Sequence, residues 1–133
     1  MQLKHSITGA REIGRNLLNV GRGMATSGSD EALIKAADMV VADAKRLVPV
    51  RTGALKRAIA RDEPKPVPVL RRSIDVGVKP PVSRRAHFTE FGTAHNSAHP
   101  FLRPALDAQS RPAVGVMGRA LRAFMDRVTR GIK

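Results

Sequence analysis

The chain has 133 residues, of which 24 are Lys or Arg and 11 are Asp or Glu, so its formal net charge is +13. It contains four Phe and no Cys, Trp or Tyr. The lack of Cys excludes disulfide frameworks, Cys-ligated zinc sites and thiol catalysis. The length predicts a single domain over residues 1–133. No apolar run approaches the roughly 20 residues of a membrane span, so no membrane partner is expected.

The positive charge is concentrated after residue 48. Residues 1–48 hold seven basic and five acidic residues, whereas residues 49–133 hold seventeen basic and six acidic residues. Such a surface favours a polyanionic partner, above all nucleic acid. Proteins that bind single strands without sequence preference stack bases on aromatic side chains, and four Phe make a poor stacking platform. Any nucleic-acid contact is therefore expected to involve phosphates, to weaken with salt and to ignore base sequence.

The first part of the chain predicts two helices separated by a turn. Residues 9–23 repeat apolar side chains with the period of a helix. Residues 25–30, Ala-Thr-Ser-Gly-Ser-Asp, have the composition of a turn. Residues 30–48 carry a continuous apolar stripe with acidic residues at the start and basic residues at the end, which suits the helix dipole. Pro49 ends this second helix.

The middle of the chain predicts short elements joined by loops. Leu55 and Ile59 follow a Thr-Gly turn, and their spacing fits either a helical turn or a strand. Residues 62–68 contain three prolines and predict an extended connector or a loop tip. Residues 69–79 alternate apolar and polar side chains, which predicts a strand. Pro80-Pro81 ends that strand.

The last third of the chain predicts two loops, a short element and a helix. Residues 82–85 are expected to form an exposed loop, and residues 86–93 either a strand or a short helix, with the strand preferred. Residues 93–100 are expected to form a second loop. Residues 101–130 predict a helix that starts near Pro104 and is interrupted or restarted at Pro112.

This order predicts an α+β fold in which a small antiparallel sheet is packed by a long helix from the N-terminal half and by a C-terminal helix. A sheet of this size has accessible edges. Natural proteins protect such edges or pair them with another chain.

The residues capable of metal binding or catalysis form no convincing site. His87, Glu90, His95 and His99 are the only cluster of metal-ligand types, and His95 and His99 fall in a predicted loop rather than on one helix face. No serine lies in a nucleophile-elbow pattern, and no phosphate-loop pattern is present. The sequence therefore predicts neither a metal site, nor a cofactor, nor enzymatic activity.

Two arginine pairs, Arg71-Arg72 and Arg84-Arg85, are the strongest local electrostatic feature. On a strand, neighbouring side chains point to opposite faces, so an extended pair cannot form one contact patch. The pairs are either solvated or contact DNA phosphates or acidic residues of a partner subunit.

Two segments carry a pattern that resembles a known family. The first is Pro-Val-Arg-Thr-Gly-Ala-Leu from residue 49, directly after the long helix, and the second is Glu-Phe-Gly-Thr from residue 90, followed by Pro-Phe-Leu-Arg-Pro-Ala from residue 100. Together, over about residues 30–110, they resemble the tail-component family of long-tailed bacteriophages, small neck or tail-completion proteins related to the Z-type completion protein of lambda-like phages. The matching residues are Pro49, Thr52, Gly53, Leu55, Glu90, Phe91, Gly92, Thr93, Pro100, Phe101, Pro104 and Ala105.

The resemblance implies a structural α+β subunit without catalytic residues. It implies a homo-oligomeric ring, with six copies as the usual symmetry, at the virion neck or the head-proximal end of the tail. Neighbouring neck, stopper, tail-tube or terminator proteins would be its partners, assembly would take place in the host cytoplasm, and genomic DNA would pass through the ring. This chain has His87 and Phe88 where many relatives have Tyr. The alternative from charge alone is a basic nucleic-acid-binding protein without sequence preference.

The residue types in these motifs suggest structural roles. Gly53 and Gly92 are expected in turns with positive φ or at close backbone contacts. Phe91, Phe101 and Leu102 are expected to anchor the core between sheet and helix. Glu90 is expected to pair with an arginine, either of its own subunit or of a neighbouring one.

Overall fold

The computed structural model describes residues 8–68 and 71–131, with side chains from residue 11 onward. The elements in chain order are α1 (Thr8–Gly23), a π-helical segment (Met24–Gly28), α2 (Ser29–Leu47), α3 (Ala54–Ala58), β1 (Ile59–Arg61), β2 (Lys65–Val67), β3 (Arg71–Ser73), β4 (Val76–Val78), α4 (Ser83–Phe91) and α5 (Leu102–Arg130). The predicted α+β class, with a long helix in each half and a small antiparallel sheet, is confirmed.

Helices α1 and α2 form one uninterrupted helical run through the π-helical segment, so the predicted turn at residues 25–30 is wrong. The Ser29 hydroxyl donates to the Met24 carbonyl at 2.6 Å, and the Thr26 hydroxyl donates to the Arg22 carbonyl at 2.9 Å. Hydroxyls that favour turns therefore bond within the helix here. Gly28 is buried where the ring of Phe124 approaches, and a Cβ at this position would lie 2.9 Å from the ring. Packing of α5 thus overrides the local turn preference.

Helix α2 packs along α5, and the small sheet and α3 close one end of this pair. Alanines on both helices are fully or nearly fully buried, which lets the two backbones approach closely. The main core lies at this end and excludes water from large apolar side chains, the dominant favourable contribution to folding. Its buried members are Val40, Ala44, Val48, Leu55, Ile59, Ala86, Phe101 and Ala105.

The strands form one interrupted antiparallel hairpin. β1 pairs with β4 in the register Ile59↔Val78, and β2 pairs with β3 in the register Lys65↔Ser73. The Asp62 amide donates to the Asp75 carbonyl at 2.8 Å between the two pairs. The strand predicted over residues 69–79 is therefore divided into β3 and β4, and the predicted connector at residues 62–68 contains β2. Residues 69 and 70, at the start of that predicted strand, lie outside the described residues.

Both structures considered after Gly53 are present, because helix α3 is followed directly by strand β1. Leu55 of α3 and Ile59 of β1 are both buried in the main core. The four-residue spacing from Leu55 to Ile59 therefore reflects helix α3, and strand β1 begins at Ile59, where that helix ends.

Helix α4 replaces the loop predicted at residues 82–85 and the strand preferred at residues 86–93. Val82, Ala86 and Glu90 recur every four residues, and all three are at least partly buried. This helical period was present in the sequence. The apolar part of the repeat is short, and the aromatic residues around it favoured a strand. The predicted loop at residues 93–100 is present, since no helix or strand occurs between α4 and α5.

Helix α5 continues without interruption through Pro112, where a break was predicted. Proline removes the hydrogen bond to the carbonyl four residues earlier, at Ala108. Ala108 and Pro112 are both exposed, so water can satisfy that carbonyl. Packing of α5 against α2 on the opposite side keeps the helix continuous. No helix in the described part of the chain combines the length and hydropathy needed to cross a bilayer.

Candidate functional site

Glu90 connects the two halves of the second motif. Its side chain, at the end of α4, accepts hydrogen bonds from three backbone amides at the start of α5. The Phe101 and Leu102 amides donate to Oε2 at 2.8 and 3.1 Å, and the Arg103 amide donates to Oε1 at 3.0 Å. A helix leaves its first amides without partners inside the helix, and the carboxylate satisfies these groups and interacts favourably with the dipole. Glu90 thus caps a helix that begins twelve residues later in the chain.

Among residues 8–68 and 71–131 Glu90 forms no ion pair, so its expected arginine partner does not come from this part of its own subunit, and a partner from a neighbouring subunit stays a prediction. Partial burial raises the pKa of Glu90, but the hydrogen bonds from the Phe101, Arg103 and Leu102 amides outweigh burial and hold the pKa below its usual value of 4.5. The arrangement stabilises a carboxylate and offers no group for proton transfer.

Gly92 and Thr93 shape the loop that joins α4 to α5. Gly92 has φ 75° and ψ 178°, a region almost restricted to glycine, and a Cβ there would lie 2.9 Å from the Ala98 amide nitrogen. The Thr93 hydroxyl accepts hydrogen bonds from the amides of His95 and Asn96 at 3.3 and 3.1 Å. The loop therefore turns back, and the His99 amide reaches the Thr89 carbonyl at 2.8 Å.

The first motif forms a comparable but simpler turn. Gly53 has φ 75° and precedes α3, and the Arg57 amide donates to its carbonyl at 3.0 Å. A Cβ on Gly53 would meet only the flexible end of the Arg57 side chain, at 2.8 Å. The Thr52 hydroxyl accepts a weak hydrogen bond from the Ala54 amide at 3.4 Å. Pro49 is exposed and follows Val48, the residue after the end of α2.

The two motifs meet in the main core. Leu55 from the first motif and Phe101 and Ala105 from the second belong to one buried cluster. Phe101 has no exposed surface, as expected, and Leu102 packs at the edge of the cluster. Pro100 ends the loop, and Pro104 lies in the first turn of α5. These motif residues therefore build the joint between α2, α3, α4 and α5.

Phe91 is the exception, and its predicted role as a core anchor is wrong. Its side chain is 68% exposed, because Gly92 ends α4 immediately after it and the helix directs it away from the core. Its ring lies 4.9 Å from the ring of His87.

Phe91 lies on the rim of an apolar groove with a volume of about 770 Å³. Helices α2, α4 and α5 and strand β4 form its walls. The floor consists mainly of small and aliphatic residues, among them Ala37, Val40 and Val76. Leu106 of α5, which is 56% exposed, forms part of the opposite rim. Its two carboxylates, Asp75 and Glu90, are engaged by Lys65 and by backbone amides.

A second exposed apolar surface lies on α1, and the sequence analysis did not single it out. Ile13, Leu17 and Leu18 are between 62% and 71% exposed, whereas Val20 on the same helix is buried. With the adjacent pair Leu17-Leu18, the apolar stripe of α1 is wider than the part that α5 covers. This pair was the feature of the sequence that could have indicated the exposed surface. We call Ile13, Leu17 and Leu18 the α1 surface.

The two arginine pairs lie in different environments. Arg72 forms a two-pronged, partly buried bond to Asp30, at 2.6 and 2.5 Å, which raises the pKa of the guanidinium. Its neighbour Arg71 is exposed. Arg84 and Arg85 are both exposed in the first turn of α4 and have no ion pair within the described residues. The structure does not bring the two pairs together into one cluster.

The histidines do not converge on a metal site. Within the ranges 8–68 and 71–131, no group of three or more His, Asp or Glu side chains is placed to hold a metal ion. His95 and His99 both lie in the exposed loop after α4.

Comparison with known proteins agrees with the motif resemblance. A family model described as "Bacteriophage HK97-gp10, putative tail-component" matches residues 11–92, more than half of the chain. The match includes the whole first motif and the second motif as far as Gly92. No curated protein and no solved structure matches the chain significantly. The chain therefore belongs to the HK97-gp10-like family of phage tail components.

Proposed function

We propose that this tail component assembles into a homo-oligomeric ring at the head–tail junction, where it completes the tail or joins it to the DNA-filled head. The observation that carries the proposal is the presence of two different exposed apolar surfaces on one chain, the α1 surface and the rim of the groove. Large exposed apolar patches on small proteins mark interaction sites.

Two different surfaces on one chain suit a head-to-tail contact between copies. When one patch of a subunit binds a different patch of the next subunit, rotation about an axis can close a ring. The α1 surface is a helical stripe of exposed apolar side chains, and the groove between α4 and α5 is lined mainly by apolar residues that could receive it. We therefore assign the α1 surface of one copy to the groove of its neighbour.

Charge supports this pairing. Arg11 and Arg15 flank Ile13 on α1, are exposed and have no ion pair within the described residues. Asp107 flanks Leu106 at the groove rim and is likewise exposed without an ion pair in that part of the chain. Docking α1 along the groove brings these opposite charges together, which adds orientation more than affinity.

The remaining functional assignments are part of the same proposal. Neighbouring neck, stopper, tail-tube or terminator proteins would contact the faces of the ring, and six copies is the stoichiometry that the resemblance implies. No enzymatic activity is proposed. A basic nucleic-acid-binding protein acting outside a virion is the weaker candidate, since it rests on net charge and the family match favours a tail component.

Cross-linking in virions tests the proposal. Because the chain contains no Cys, introduced cysteines are its only thiols. The double variant Leu17→Cys/Leu106→Cys should yield a ladder of covalent multimers with a short bis-maleimide, ending at the size of the ring. The single variants Leu17→Cys and Leu106→Cys should yield none. A chain missing from purified virions by mass spectrometry would exclude the virion role. A chain that is present but gives no multimers would exclude this contact between copies.

A further inference from the structure

Eight of the eleven acidic residues of this chain are occupied within the subunit. Seven of them form ion pairs with Lys or Arg, and Glu90 caps α5. These acidic residues leave many exposed Lys and Arg side chains of the described surface without an acidic partner.

One group of these uncompensated cations lies where α3 packs against α4. Residues 49–61, which contain α3, and residues 76–89, which contain α4 up to Thr89, include no acidic residue. Glu90, the next residue of α4, caps α5. Two of the cations in these segments are engaged, Arg61 with Asp38 and Lys79 with Asp62. The others are exposed and form no ion pair within residues 8–68 and 71–131. We call them the α3–α4 surface: Arg51, Lys56, Arg57, Arg84 and Arg85.

The core holds this surface together. Leu55 of α3 and Ala86 of α4 are buried in the same cluster. Lys56 follows Leu55 directly, and Arg85 precedes Ala86 directly, so both cations lie next to residues of one buried cluster. Cations separated by almost thirty residues in sequence therefore form one patch, which the spacing of the arginine pairs did not indicate.

We propose that the α3–α4 surface binds the phosphate backbone of duplex nucleic acid. Four of its five cations are arginines, whose planar guanidinium groups match phosphate oxygens in pairs. A surface of one charge sign suits a regular polyanion, whereas the centres of protein–protein interfaces are depleted in charged residues. With no Tyr or Trp in the chain, binding depends on phosphates and not on base stacking.

The two arginine pairs therefore have different roles. Arg84 and Arg85 belong to the phosphate-binding surface, and Arg72 does not, because Asp30 already neutralises it. The inference does not depend on ring assembly, since it concerns a surface of the isolated subunit.

The test measures binding of the purified full chain to a short, fluorescently labelled DNA duplex of random sequence over a range of salt concentrations. The test variant is Arg51→Gln/Lys56→Gln/Arg84→Gln/Arg85→Gln. Arg57 is retained because its guanidinium lies beside Gly53. The control is Arg111→Gln/Arg119→Gln/Arg122→Gln/Arg130→Gln, which removes four exposed cations from α5 and gives the same net charge.

We expect the test variant to bind at least about tenfold more weakly at low salt, and the slope of log affinity against log salt to fall by about 3–4. The control should stay within about threefold of the wild type. Equal losses in both variants would show that net charge alone matters and would overturn the assignment. So would no binding by the wild type at low salt, or equal binding of polyglutamate, which would indicate an acidic protein partner. Circular dichroism verifies that both variants fold.

Discussion

The chain contains two apolar regions of opposite character. Around Phe101, apolar side chains are sealed between helices, and Glu90 fixes the start of α5 beside them. On α1 and at the groove rim, side chains of similar size remain exposed, as Leu17 and Phe91 illustrate. Of the twelve motif residues, Leu55, Phe101 and Ala105 are buried in this region, and most of the others shape the turns and the helix start around it. The motifs therefore identify the fold, while residues available for assembly lie mainly outside them.

The largest difference in stability between the two regions is expected when one phenylalanine from each is truncated to alanine. Phe101→Ala should lower the free energy of unfolding by about 3–5 kcal/mol, because it opens a cavity in a site with no exposed surface. Phe91→Ala should change it by less than about 0.5 kcal/mol, as for surface substitutions generally. Urea denaturation of both variants provides the measurement. Equal losses would mean that the exposed position of Phe91 in the isolated subunit is wrong.

The two motif glycines give a smaller, sharper contrast. Gly92→Ala should cost about 1–3 kcal/mol in backbone strain, with a further loss because the Cβ meets backbone atoms of Asn96 and Ala98. Gly53→Ala should cost about 1–2 kcal/mol, since the Cβ meets only the mobile end of Arg57. Thermal unfolding of the two variants compares them directly. A larger loss for Gly53→Ala would contradict the tight loop around Gly92.

The smallest expected effect concerns the charge on Glu90. Its lowered pKa means that the folded state favours the carboxylate, so this stabilisation is complete at neutral pH and is lost as pH falls below about 4.5, through the folded-state value. Glu90→Gln should cost about 1 kcal/mol at neutral pH, because an amide replaces one accepting oxygen.

The difference in stability between wild type and Glu90→Gln should shrink as the pH is lowered through this range. Other carboxylates, including Glu31 and Asp62, also have lowered pKa values, but they are common to both proteins and cancel in the difference. Urea unfolding measured at several pH values supplies the comparison. A difference that is independent of pH would contradict capping by the ionised side chain.

Periodicity located the long elements because their patterns extend over several turns. Helices α1, α2 and α5 were predicted close to their observed bounds, and the buried state of Phe101 followed from its type and position. The short elements were less predictable. α4 has a helical repeat only at Val82, Ala86 and Glu90, too short to outweigh the strand preference of its aromatic residues.

The prediction of a turn at residues 25–30 was wrong for a related reason. Ser, Thr and Gly are common in turns, but their hydroxyls can equally bond to helix carbonyls. The outcome depended on Phe124, almost a hundred residues later, which packs against Gly28.

The sequence by itself determined the α+β class, the long helices, the family motifs and the concentration of positive charge after residue 48. Only the tertiary structure decided what the charged motif residues contact: Glu90 caps α5 and has no arginine partner in the described part of its own subunit, and Arg72 is neutralised by Asp30, 42 residues away. The physical reason is that helical periods and composition act between near neighbours. Ion pairs and helix caps depend on which distant segments the core brings together, and this chain has more cations than its carboxylates can pair.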